Sequence, residues 1–204
     1  MNTTLLRRSH AMVLGAALLV MAGCTGTSKP STFYLLKTLP ESEAGVPVQG
    51  GVSVAVGPIS LPAYLDRLPM AASGDGHVLS VDEFHRWAEP LKDGISRVLA
   101  ENLAILLKTA NVYVHPHRRG VPIDYQVEIA VSRFIADVDG AAAFVAYWSI
   151  VGGDGQTVLS RNRSSLAERA ASREPGAVVA AQNKMIQDLS REIAAEIRKL
   201  QQKK

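Results

Sequence analysis

The stretch DEFHRWAEPL, Asp82 to Leu91, places three carboxylates, one histidine, one arginine and one tryptophan side by side. On a helix, His85 and Glu89 would face each other at i,i+4. Asp82 and Glu83 could then assist a general base or a metal ion. Pro90 opposes that arrangement, because the residue before a proline disfavours helical geometry. Glu89 therefore reads as extended or turn-like, and the i,i+4 pairing fails. No nucleophile and no second histidine stands nearby in the sequence. A structural role accounts for the same residues. Pro90 near a first helical turn pre-sets φ, and Glu89 or Asp93 complements the helix dipole. Trp87 supplies a large apolar body to bury. The stretch is expected to join a strand to a helix, with Trp87 as its packing anchor.

The other candidate chemistry is sparse. His115 and His117 form the sequence HPH, followed by Arg118 and Arg119. Two residues apart on a strand, they would share a face, which is half of a metal site. Zinc needs a fuller set of clustered ligands, and no third one is evident, so a solvated strand end is the expected reading. His77 stands alone on a turn. There is no phosphate-cradling loop opening a helix with Lys-Ser/Thr and no G-x-S-x-G elbow. The sequence thus predicts no catalytic residue, no metal and no cofactor, and a protein that is not an enzyme.

Cys24 is the only cysteine of the 204 residues. It follows Arg7, Arg8 and an apolar run from Ala11 to Met21. That run is shorter than the roughly 20 residues of a spanning helix and suits the apolar core of a signal peptide. The small residues Ala22 and Gly23 directly before Cys24 resemble the bacterial lipobox, with Met21 in place of the usual leucine. This predicts cleavage before Cys24 and lipid attachment to it. Thr25, rather than Asp, follows; by resemblance to the sorting rule of enteric-type bacteria this implies the periplasmic face of the outer membrane. Several acyl chains, as on a bacterial lipoprotein, hold a protein firmly where one holds it marginally. Loss of Arg7 and Arg8 with the leader takes the formal charge from +3 to about +1. A nucleic-acid footprint, which needs a basic face, is not predicted.

Residues 1–23 thus read as a lipoprotein signal peptide, 24–31 as a small, polar tether, and 32–204 as one domain. Thr32–Leu39 reads as a strand. Val52–Val56 reads as a buried strand ended by Gly57-Pro58. A hairpin turns at Asp75-Gly76. Leu91, Ile95, Val98, Leu99, Leu103, Leu106 and Leu107 fall at helical spacing, with an end near Ala110 or Asn111. Val112–Val114 forms a short strand stopped by Pro116. Ile123, Tyr125, Val127, Ile129 and Val131 alternate with polar residues, and the phase then slips to Phe134, Ala136 and Val138. One extra residue near Ser132-Arg133 would cause this slip, which predicts a β-bulge. Turns at Asp139-Gly140 and Gly152–Gly155 complete an antiparallel meander. Pro175 opens a last helix, with a stripe of Val178, Met185, Ile186, Leu189, Ile193, Ile197 and Leu200. The expected fold is a single-domain α/β sandwich: a mixed, mostly antiparallel sheet with two main helices packed on it. Tyr64, Leu65 and Leu68, in the Pro62–Pro69 loop, are the candidate partner contact, since loops carry function more often than strands do.

Two long stretches also carry a family likeness. VGPISLPAYLDRLPM, followed by EFHRWAEPLKDGISRVLAENL, resembles the ABC-type transport auxiliary lipoproteins, the PqiC/YmbA-like family. The lipobox and the FYLL segment fit the same pattern, and the likeness runs from about Phe33 to Leu200. It implies a small mixed sheet with helices and no catalytic residues. It implies an accessory subunit of an MCE-type envelope lipid transport system, partnered by an MCE-domain protein that bridges the envelope and contributing to membrane integrity. It makes a homo-oligomeric ring at the end of the MCE tunnel one expected assembly. The alternative is an outer-membrane lipoprotein that regulates cell-wall synthesis through a penicillin-binding protein.

Overall fold

The structure is a computed structural model that describes residues 29–203 except 44, 46–49, 75, 76 and 119. The expected signal peptide, Cys24, the expected Asp75-Gly76 turn and Arg119 lie outside the described residues. In chain order the elements are β1 (Thr32–Tyr34), β2 (Val54–Ser60), β3 (Pro69–Ser73), β4 (Leu79–Trp87), α1 (Leu91–Leu107), β5 (Val112–Val114), β6 (Tyr125–Asp137), β7 (Ala141–Gly152), β8 (Val158–Arg169) and α2 (Pro175–Gln201), with a short 3-10 turn at Glu41–Glu43. The predicted α/β fold is the observed one: a mixed sheet of eight strands with both helices packed on it.

The alternating run in β6 organises the sheet. Tyr125, Val127, Ile129 and Val131 are buried on one face, and the register against β7 shifts between Val131 and Arg133. The phase slip in the sequence is therefore a bulge, as expected. It is also where the other edge of β6 changes partner. Residues up to Ala130 pair in parallel with β2, and Ala136 and Asp137 pair in parallel with β3. The long ladders β6–β7 and β7–β8 are antiparallel. Short parallel pairings add β5 beside β2 and β1 beside β4.

Two strand boundaries differ from expectation. β2 does not stop at Gly57-Pro58 but runs through it to Ser60. The register with β6 skips from Val56 to Ile59 there, so the N–H that proline lacks falls in a gap of the ladder. Thr32–Leu39 is a strand only as far as Tyr34. Beyond it the chain crosses the helices as a strap whose backbone is satisfied by side chains. Asn183 accepts from the Lys37 N–H at 2.7 Å, and Asn102 accepts from the Leu39 N–H at 2.7 Å. Arg97 donates to the Leu36 carbonyl at 3.2 Å and Gln187 to that of Thr38 at 3.3 Å. Leu36 and Leu39 are buried beneath the strap.

Both helices follow their apolar stripes. α1 starts on the Pro90 carbonyl, which accepts from the Asp93 and Gly94 N–H groups. It ends at Leu107, slightly before the expected position, with Lys108 as a left-handed C-cap at φ 53°. Pro175 occupies the first turn of α2, as predicted. Between the helices, Asn102 donates to Ser190 Oγ at 2.9 Å, and Ser190 donates to the Ile186 carbonyl at 2.7 Å. Asn102 thus links the strap, α1 and α2 in one buried polar chain.

Candidate functional site

The residues of DEFHRWAEPL are held by a strand. Asp82 to Trp87 belong to β4, and only Ala88 to Pro90 form the connection to α1. In the β3–β4 ladder Met70 faces Asp82 while its neighbour Pro69 faces Arg86, so β4 bulges between them. A bulge leaves backbone donors unpaired. Asp82 Oδ1 accepts from two of them, the Phe84 N–H at 2.9 Å and the His85 N–H at 3.2 Å. This carboxylate is therefore a cap for the bulge.

The remaining polar groups have equally local partners. His85 Nδ1 shares a hydrogen bond with the Tyr34 hydroxyl at 2.8 Å. The Tyr34 hydroxyl is pushed above its usual range, first by burial and then by the negative charges of Asp82 and Glu174. Glu89 does not meet His85. It pairs with Arg97, two turns into α1, at 2.6 Å, and this contact raises the pKa of the Arg97 guanidinium. Asp93 lies in the first turn of α1, where its charge suits the dipole. Trp87 is only 6% exposed and sits in the main core, the anchoring position the sequence suggested.

The fold brings Asp82 and His85 to a cleft that the sequence did not indicate. It holds about 190 Å³ between β3, β4, the end of β6 and the start of α2. Met70, Ala72 and Val178 contribute apolar lining, and Asp137 and Arg173 join Asp82 and His85. Arg173 is paired with Asp139 at 2.5 Å. Asp137 Oδ1 accepts from the Asp139 and Ala141 N–H groups in the β6–β7 turn. The charges around the cleft thus hold turns and bulges. Asp137 and Arg173 come from segments far apart in sequence, and no local motif marks them.

His115 and His117 sit past β5 with ring centroids 6.1 Å apart. Among the described residues no group of three or more His, Cys, Asp or Glu side chains is placed to hold a metal ion. In the Pro62–Pro69 loop the three candidate contacts separate. Leu65 is 4% exposed and pins the loop to the core, whereas Leu68 is 36% exposed. Tyr64 is half-buried, and its hydroxyl donates to the Ser132 carbonyl at 3.4 Å. Burial raises its pKa, opposed by the Arg133 charge. The loop is thereby fastened to the β6 bulge.

Among the described residues no helix is long and apolar enough to cross a membrane. The model of the family described as ABC-type transport auxiliary lipoprotein component matches residues 34–194. No curated protein matches the sequence. Among solved structures, an uncharacterized protein is similar with a TM-score of 0.67 at 18% identity, covering 83% of this chain and 99% of that one. A protein from Xanthomonas campestris is similar with a TM-score of 0.65 at 20% identity, covering 80% of this chain and 93% of that one. At these identities the likeness is one of fold.

Proposed function

The chain belongs to the ABC-type transport auxiliary lipoprotein components, and on that footing we propose that it is an accessory subunit of an MCE-type envelope lipid transport system. In this reading it is anchored through lipidated Cys24 to the periplasmic face of the outer membrane and acts by position and contact, not by catalysis. The observation that carries the proposal is the family match over residues 34–194 together with the lipobox at Cys24, directly upstream of the matched region. The site geometry is compatible with it: Asp82 caps a bulge and Glu89 pairs with Arg97. Each of those carboxylates has a partner within the fold.

The proposed partner is an envelope-spanning MCE-domain protein. Tyr64 and Leu68 offer the contact, with Leu65 as the buried residue that holds their loop in place. Assembly with further copies as a ring is part of the same proposal. The test is affinity purification of the tagged full-length protein from envelopes solubilised in mild detergent. An MCE-domain protein should co-purify. Its repeated absence, with the tagged protein itself recovered intact, contradicts the proposed partnership.

A further inference from the structure

The segment Phe33-Tyr34-Leu35-Leu36, the end of β1 and the start of the strap, alternates exposed and inward-facing apolar residues. Tyr34 and Leu36 turn towards the core. Phe33 and Leu35 turn outward, 61% and 49% exposed, and Phe84 in the neighbouring β4 is 42% exposed. β1 is an edge strand of the sheet. A sheet surface that meets only water alternates apolar inward with polar outward. Apolar residues on both faces call for cover on both. Lys37 is also exposed, and with Leu35 it lines a shallow groove shared with Glu89, Arg97 and Glu101, so the charge beside the apolar group is mixed.

The position of this edge in the chain identifies the cover. Cys24 and Phe33 are so close in sequence that the chain between them reaches at most about 30 Å when fully extended. As a flexible coil its average span is about 17 Å, less than half the roughly 40 Å breadth expected of a domain this size. With acyl chains on Cys24, β1 is the first element of the fold after the anchor along the chain. The anchor also makes any contact of this edge with lipid intramolecular, so a weak contact suffices. Exposed phenylalanine and leucine side chains enter the boundary between headgroups and acyl chains.

We infer that Phe33, Leu35 and Phe84 form a membrane-seating edge that docks the domain onto the phospholipid surface holding Cys24. The inference rests on the lipid-anchor reading above. Seating would fix the orientation of the domain at the membrane and would cover the outer face of β1.

Lipidation consumes the thiol of Cys24, so a single introduced cysteine can be labelled specifically. Full-length lipidated protein with Phe33→Cys, Leu35→Cys or, as a control distant in sequence, Val158→Cys would carry an environment-sensitive fluorophore. Each would be reconstituted on vesicles of phosphatidylethanolamine and phosphatidylglycerol, with and without nitroxide-bearing lipid. The protein should float with the vesicles. Probes at 33 and 35 should shift to the blue and lose most of their emission to the nitroxide lipid, while the probe at 158 keeps its emission. Flotation with unquenched probes at 33 and 35 overturns the seating edge and leaves the anchor standing. Blue-shifted probes that lipid does not quench assign the edge to a second copy or another protein and also overturn it. Failure to float overturns the anchor and the seating edge together.

Discussion

At the scale of single residues, Asp82 separates a catalytic reading of DEFHRWAEPL from a structural one. Its Oδ1 accepts from two backbone N–H groups of a bulge, a task that needs an acceptor oxygen but no charge. Asp82→Asn should therefore keep the stability of the parent. Asp82→Ala should lose about 1 kcal/mol, the usual net worth of such hydrogen bonds. Urea unfolding of the two variants checks this. Equal losses in both would show that the charge matters and that the bulge cap is not its main role. Pro90 had already argued against a His85–Glu89 pair. The actual partners, Tyr34 for His85 and Arg97 for Glu89, depend on the parallel β1–β4 pairing and on the first turns of α1. The first of these is a long-range contact that local spacing does not encode.

At the scale of elements, legibility follows whether a segment's partners are local or periodic. The bulge at Ser132-Arg133 could be read because a side-chain period of two makes a one-residue insertion visible as a phase slip. Both helices could be read from their stripes, and the turns at Asp139-Gly140 and Gly152–Gly155 from their glycines. Gly140 adopts φ 81° and Gly155 φ 69°, a region glycine enters without strain. In the second turn Asp154 accepts from the Thr157 hydroxyl and from the Gln156 and Thr157 N–H groups, which lowers its pKa to about 2. The strap after Tyr34 was not legible. Its apolar alternation resembles a strand, but its hydrogen-bond partners are Asn102, Asn183 and Gln187, brought from the two helices by the tertiary fold. Asn102 is the hub of that arrangement and is fully buried. Asn102→Ala should cost about 1–3 kcal/mol by orphaning the Leu39 N–H. Hydrogen exchange should show early loss of protection at Leu39. A variant of parental stability with Leu39 still protected would mean that the strap is held by Leu36 and Leu39 alone.

At the scale of the molecule, the fold gives the polar groups of this acidic, histidine-bearing stretch partners of their own. The domain has a continuous core running from Leu36 through α1, the sheet and α2. Its charged groups around the cleft hold turns, bulges and the start of a helix. Family membership makes it a transport auxiliary lipoprotein, and the proposed account lets it work through where it is held and what it touches. The fold class and the family were legible because they rest on long patterns. The cleft, and the separation of buried Leu65 from exposed Leu68, were not, because they depend on how distant segments meet.

In the proposed function, this folded domain works by being held at the outer membrane through Cys24. The most direct measurement is fractionation of cells that carry the full-length protein with Cys24→Ser, paired with the melting temperature of the purified variant. The variant should melt like the parent domain yet leave the outer membrane and no longer support the transport system. A Cys24→Ser protein retained in the outer-membrane fraction, with function intact, would contradict it.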